Sequence, residues 1–157
     1  MNKSTWKQYT FWIILSEAVG IFSGWLAREG IQLYGAISRK PPLSPPGRVF
    51  AVVWTVLYAL MGVSAGRIYS APPTRERSLG LNLFISQLIV NFFWSPIFFN
   101  AQAYGVALVW LLILWTLVAW MIREFDRVDK VAAVLQIPYL LWLTFALYLN
   151  YGVWQLN

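Results

Sequence analysis

The sequence predicts an all-α membrane protein, a bundle of five transmembrane helices with a long structured first loop. Three observations carry that expectation. First, 59% of the 157 residues are hydrophobic and only 11% are charged, with a mean hydropathy of +0.59. Soluble domains carry roughly a quarter of charged residues, so this chain lacks the surface to stay in water. Second, five apolar segments can be drawn, at 9–27, 49–68, 79–100, 104–122 and 131–154. Each reaches the roughly 20 residues a helix needs to cross the hydrocarbon core, and none alternates as a barrel strand does. Third, the basic residues behind the net charge of +6 sit in short clusters between these runs, as juxtamembrane anchors do, which argues against nucleic acid. A chain of this length is read as one domain, 1–157.

The first segment follows Lys3 and Lys7, a pattern shared with signal peptides. Its length, and the lack of a small-residue cleavage pattern near its end, favour an uncleaved first helix. Glu17 is the acid in mid-span. The preferred reading is a neutral acid hydrogen-bonded to a helix neighbour, with proton coupling as the alternative. Gly20 and Gly24, like Gly62 and Gly66, stand four apart, a spacing that lets helix backbones approach closely, within the bundle or at a homodimer face.

The stretch KPPLSPPGRVFAVVWTVLY, from Lys40 to Tyr58, joins the first loop to the second helix. Four prolines within six residues forbid regular helix there. Ser44 is the expected N-cap, with Pro45 in the first helical position. Phe50, Trp54 and Tyr58 then recur every fourth residue, so three rings share a face beneath a rigid loop. That loop, about Arg28 to Arg48, is long and proline-rich, as functional loops tend to be.

The third segment is rich in polar groups. Gln87, Asn91, Trp94 and Ser95 fall on one face, and Pro96 is expected to kink the helix and free a carbonyl one turn earlier. A connection as short as Ala101–Ala103 makes the third and fourth helices antiparallel neighbours. The turn REFDRVDK has balanced charge and reads as solvated. In the fifth segment Pro138 marks a second kink, and Trp142, Phe145, Ala146, Leu149 and Asn150 share a face, with small Ala146 leaving a notch beside the indole. Of ten tryptophans, Trp6, Trp120 and Trp154 lie near span ends and suit interfacial belts. Trp54, Trp94 and Trp142 lie deeper and suit a flat apolar ligand.

Orientation follows from Lys and Arg. One side holds Lys3, Lys7, Arg67, Arg75, Arg77, Arg123, Arg127 and Lys130; the other holds Arg28, Arg39, Lys40 and Arg48. Eight against four predicts the N-terminus inside and the C-terminus outside, in a bacterial plasma membrane. The chain has neither cysteine nor histidine. Thiolate chemistry, the commonest metal ligand and the usual general base are therefore excluded, no metal site is expected, and haem iron lacks its usual axial ligands.

KPPLSPPG followed by FAVVWTVLY, then QLIVNFFWSPIFF, then PYLLWLTFALYLN, resembles the TspO/MBR family, that of the translocator protein, tryptophan-rich sensory protein and peripheral-type benzodiazepine receptor. The resemblance covers all five segments. It implies a five-helix bundle, often a homodimer, that binds porphyrins, cholesterol and synthetic drugs among its helices under the first loop. Carried over by motif, the ligand-binding residues are Tyr34, Pro45, Trp54, Tyr58, Asn91, Trp94, Trp142, Ala146 and Leu149. Arg39, Lys40 or Arg48 would pair with porphyrin carboxylates at the pocket mouth. Some members degrade protoporphyrin in light, and a tryptophan pair matching Trp54 and Trp142 is linked to that activity. Two departures stand out. Leu43 occupies the place of a common tryptophan, and no basic residue follows Tyr151, so the sterol motif is incomplete.

The expected function is thus a membrane tetrapyrrole receptor or sensor, with protoporphyrin IX or haem as ligand and no cofactor required. The alternatives are a light-dependent protoporphyrin-degrading enzyme and a transporter of porphyrins or small lipophiles. No nucleophile–base pair or phosphate loop is visible, so ordinary hydrolysis or group transfer is not expected. Five helices cannot form two equal inverted repeats, which speaks against alternating access.

Overall fold

Five helical spans run through the computed structural model, which describes residues 2–37 and 39–157, and at Ile37 the backbone alone. Ser38, within the first loop, lies outside the described residues. The elements are α1 (Lys3–Leu26), α2 (Arg28–Ile37), α3 (Gly47–Ser70), α4 (Arg75–Ser95) with one π turn at Pro96–Asn100, α5 (Tyr104–Asp126), α6 (Lys130–Leu135) and α7 (Ile137–Leu156). The helices long and apolar enough to cross a membrane are Lys3–Leu26, Gly47–Ser70, Arg75–Asn100, Tyr104–Asp126 and Lys130–Leu156. The protein is an integral membrane protein, and large apolar side chains such as Ile21, Phe22, Val52 and Leu141 face outward, where lipid would meet them.

α1 begins earlier than the hydropathy suggested, because Asn2 caps it: its Oδ1 accepts from the Thr5 N–H at 2.9 Å. After Ala27 the chain turns into α2, so half of the expected irregular loop is helix. That stretch, REGIQLYGAI, has no proline and carries Glu29 in its first turn, both favourable to helix.

α3 starts later than expected. Ser44 does not cap it; its hydroxyl donates to the Pro41 carbonyl at 2.7 Å, and Pro46 is the capping residue without a side-chain bond. The reason is steric. Pro45, the expected first helical residue, precedes Pro46, which keeps it out of helical geometry and moves the start to Gly47. Leu43 takes a left-handed φ of 69°, so it forms the corner of this loop.

α1 packs most closely on α3, and glycine makes that possible. A Cβ at Gly62 would collide with the backbone of Ile13, one at Gly66 would stand 2.8 Å from the Tyr9 ring, and Gly20 faces the ring of Tyr58. The Gly62/Gly66 pair thus serves packing within the bundle, whereas Gly24 faces open space.

Thr74 caps α4, and the Arg77 guanidinium donates back to the Ile68 and Tyr69 carbonyls at the end of α3. Pro96 cannot donate to Phe92, as the sequence implied. The freed Phe92 carbonyl instead accepts from Ser23 Oγ of α1 at 2.7 Å. The helix then widens into the π turn, closed by Ala101 N–H to the Pro96 carbonyl at 3.0 Å. After the short turn at Ala101–Ala103, α5 runs back along α4.

The REFDRVDK turn is not simply solvated. Glu124 is buried, and Asp129 caps α6 through the N–H groups of Val131 and Ala132 while pairing with Arg67 of α3 at 2.9 Å. Burial works to raise the Asp129 carboxyl, but the Arg67 hydrogen bond and charge, with the two backbone donors, hold it below the usual aspartate range. Pro138 falls in the first turn of α7, and the chain breaks between α6 and α7 at Gln136.

These contacts sort the bundle ends. Ser70–Gln8 and Arg67–Asp129 gather one end. Asn100–Leu26, Tyr148–Pro42 and Asn157–Arg39 gather the other. The core between them is filled by Met61, Phe84, Leu111, Leu114, Met121, Phe125 and Leu143.

Candidate functional site

Rings fill the space between α3 and α7, whose backbones hardly approach one another. Phe50, Trp54 and Tyr58 line that side of α3, as their spacing required. Trp54 lies 5.5 Å from Tyr58 and 6.1 Å from Tyr139 of α7, while Phe50 meets Trp142 edge-on at 5.6 Å. Phe145 extends the cluster from Trp142 at 5.5 Å, and Tyr148 stacks on Phe145 at 6.1 Å. The indoles of Trp54 and Trp142 are half-buried, and each meets a ring of the other's helix, Tyr139 and Phe50 respectively. The Trp142 Nε1–H is buried and has no hydrogen-bond partner among the described residues.

Below the rings lies a chain of buried polar groups. The Tyr58 hydroxyl donates to Asn91 Oδ1 at 2.7 Å, Asn91 Nδ2 donates to the Tyr139 hydroxyl at 2.6 Å, and that hydroxyl donates to Gln87 Oε1 at 2.7 Å. Each group finds its partner on another helix, so α3, α4 and α7 are tied together at mid-membrane. The one-face spacing of Gln87 and Asn91 on α4 made this possible. Glu17 of α1 stands within electrostatic reach of Tyr58, half-buried. The expected hydrogen bond to a helix neighbour is not formed: among the described residues it has none.

The remaining expected residues form a second group. Tyr34 of α2 packs edge-on against Phe98 at 5.5 Å and Phe99 at 5.3 Å, with the Lys40 ammonium 4.9 Å above its ring. Burial, aided by nearby Tyr104, pushes the Tyr34 phenol up to about 12. Trp94 stacks on Phe98 at 4.9 Å and donates from Nε1 to Asn150 at 3.1 Å. Trp94 also touches the main core, so it links the two groups. Ala146 and Leu149 are buried on α7, and Pro45 is half-buried in the loop.

Arg39, Lys40 and Arg48 are exposed at the loop end of the bundle. The Arg39 backbone exchanges two hydrogen bonds with Asn157, which leaves its guanidinium outside. Two grooves on the surface lie elsewhere. One, of about 570 Å³, runs along Trp6, Phe11 and Ile14 of α1; the other, of about 230 Å³, lies between α1 and α4 at Leu15, Ile89 and Phe92.

Sequence reading passed over Tyr139 and Tyr148. Tyr139 stands one turn before Trp142 and behind Pro138, a spacing that puts both on one face. Tyr148 holds the loop through Pro42, and nothing local in the sequence announces that contact.

Comparison with known proteins fits this arrangement. The TspO/MBR family model matches residues 12–155, nearly the whole described bundle. The chain belongs to the TspO/MBR family. It is 35% identical over 144 residues to the tryptophan-rich protein TspO of Chlorobaculum tepidum, covering 91% of each chain. It is 37% identical over 147 residues to the translocator protein of Homo sapiens, covering 91% of this chain and 86% of that one. The tryptophan-rich sensory protein of Cereibacter sphaeroides is 36% identical over 118 residues, covering 75% and 73%.

Proposed function

We propose that this TspO/MBR chain is a porphyrin-binding membrane receptor or sensor, with the ligand held among the rings of α3 and α7 under the first loop. The observation that carries this reading is the half-buried cluster of Phe50, Trp54, Trp142 and Phe145, with an indole N–H inside it that has no acceptor among the described residues. A porphyrin is flat and apolar, with two carboxylates on one edge. Indole and phenyl faces suit its plane. Arg39, Lys40 and Arg48 at the loop end suit its carboxylates. Entry requires Phe50 and Trp142 to part, since their rings now touch. Tyr34, Pro45, Trp94, Ala146 and Leu149 line the loop-side wall in this reading, with Tyr58 and Asn91 as its polar floor.

The protein sits in a bacterial plasma membrane with the eight-cation end inside, and works as a homodimer. With no histidine or cysteine, metal-free porphyrin binds at least as well as haem. Titration of the purified protein with protoporphyrin IX and with haem, following tryptophan emission, tests this. Saturable quenching by one of them supports the pocket; unchanged emission with both contradicts it.

One observation favours a second reading, light-dependent degradation of protoporphyrin. Trp54 and Trp142 bracket the cluster, and Trp54 touches two phenols, so oxidisable rings surround the ligand position. Illumination in air should then give a new product spectrum that is lost in Trp54→Phe and Trp142→Phe. A product formed equally in both variants leaves the protein a container. Transport would instead show as flux into liposomes that depends on Glu17.

A further inference from the structure

Gln136 is wholly buried, and among the described residues neither its Nε2 nor its Oε1 has a hydrogen-bond partner. Its backbone is not the difficulty. The N–H donates to the Ala133 and Val134 carbonyls, and its carbonyl accepts from Leu140 N–H at 3.2 Å. A primary amide carries two donors and a two-fold acceptor, and native cores rarely leave all of these unmatched. The cost is higher still in a bilayer, where bulk water cannot step in.

A second buried amide, on α4, is only half used. Gln87 is also wholly buried. Its Oε1 accepts from Tyr139, but its Nε2 reaches only the Met61 sulfur, at 4.0 Å, a weak acceptor. Tyr139 follows Gln136 by one turn, and helical side chains lean toward the N-terminus. That lean would bring the Tyr139 hydroxyl, and the Gln87 amide that accepts from it, toward the turn that holds Gln136. The residues one turn before Gln136 are small and buried, Ala132 and Ala133, and Ser64 of α3 donates to the Ala132 carbonyl at 2.7 Å.

We infer that the break between α6 and α7 is a buried water site, where the amides of Gln136 and Gln87 hold one or two water molecules between them. A buried water needs two to four polar partners, and Gln136 Nε2, Gln136 Oε1 and Gln87 Nε2 supply three. The water extends the Tyr58–Asn91–Tyr139–Gln87 chain to the helix break, so the polar tie ends on a satisfied group rather than an orphan. The chain meets the ring cluster at Tyr58 and Tyr139, but the inference does not depend on what that cluster binds.

The test uses the intact protein in lipid or detergent, with labelled glutamine and water as the probe. Cross-relaxation between water and the Gln136 side-chain amide protons is expected, and its absence overturns the inference. Should those resonances overlap, thermal unfolding of Gln136→Met decides. A dry orphan amide is relieved by an apolar side chain of similar length, so a Tm above wild type overturns the inference. A Tm equal to or below wild type supports it, because the variant forfeits the water's hydrogen bonds.

Discussion

The hydroxyl of Tyr148 on α7 donates to the carbonyl oxygen of Pro42 in the proline-rich loop at 2.8 Å. Four residues further on, Gly152 lets the ring of Pro41 seat directly on the helix, since a Cβ there would stand 2.6 Å from the proline Cβ. The loop is thus fastened to α7 by one polar and one steric contact, above the rings. Removing the polar one in Tyr148→Phe forfeits a hydrogen bond with a net value of about 0.5–1.5 kcal/mol. Porphyrin dissociation, followed by recovery of tryptophan emission, should become about two- to tenfold faster. An unchanged rate separates the loop from ligand retention.

Close packing of α1 on α3 gives a prediction that involves no ligand. Gly62→Val puts a branched side chain against the Ile13 backbone and should destabilise the bundle by about 1–3 kcal/mol or more. Gly24 faces open space within α1, so Gly24→Ala should be neutral or stabilising by up to about 1 kcal/mol. Thermal unfolding of both variants in detergent checks the contrast. Equal effects contradict the assignment of Gly62 to packing within one chain.

Asp129 links two helices and should show in the pH dependence of stability. Its carboxyl is held below the ordinary aspartate value in the folded protein. The stability it contributes is therefore complete above about pH 4, the unfolded value, and is lost as pH falls through the lower folded value. Asp129→Ala removes a helix cap and should cost about 1–2 kcal/mol at pH 7. The gap between wild type and variant should narrow as pH falls from 7 to 3. A constant gap at all pH values contradicts the ionised role.

The buried polar chain predicts strong coupling. Asn91→Leu leaves the Tyr58 donor without its acceptor and withdraws the donor that Tyr139 accepts, at about 1–3 kcal/mol for each group left unmatched. Tyr58→Phe in that background should then cost less than it does alone. A double-mutant cycle on denaturation free energies measures the difference, and additive values contradict a shared network.

The architecture was legible because lipid leaves so few choices. Runs of about 20 apolar residues, the two prolines at 96 and 138, and the three-residue turn at Ala101–Ala103 dictated spans, breaks and neighbours from local pattern. The ring face of Phe50, Trp54 and Tyr58 followed from helical spacing in the same way. What local pattern could not supply was any relation between distant residues. Ser44 looked like a cap because the effect of Pro46 on Pro45 was not weighed, and Asp129 looked solvated because Arg67 lies sixty-two positions away. Tyr34 joins Phe98 and Phe99 rather than the α3 rings because α2 is a helix, which fixes where that ring points. Gln136, like Thr144 and Asn150, stood out as a polar residue within the fifth span, but that its amide is unmatched is visible only once every neighbour is placed.

The central claim is that the rings between α3 and α7 part to admit a planar tetrapyrrole beside Trp142. Ala146, one turn along α7 from that indole and buried, is the place to challenge it. The most direct measurement is the protoporphyrin IX affinity of Ala146→Phe beside wild type, by tryptophan quenching, with Trp120→Phe at the exposed rim as control. The account predicts at least a tenfold loss for Ala146→Phe, about 1.4 kcal/mol, with the control unchanged. Wild-type affinity in a folded Ala146→Phe protein would contradict it.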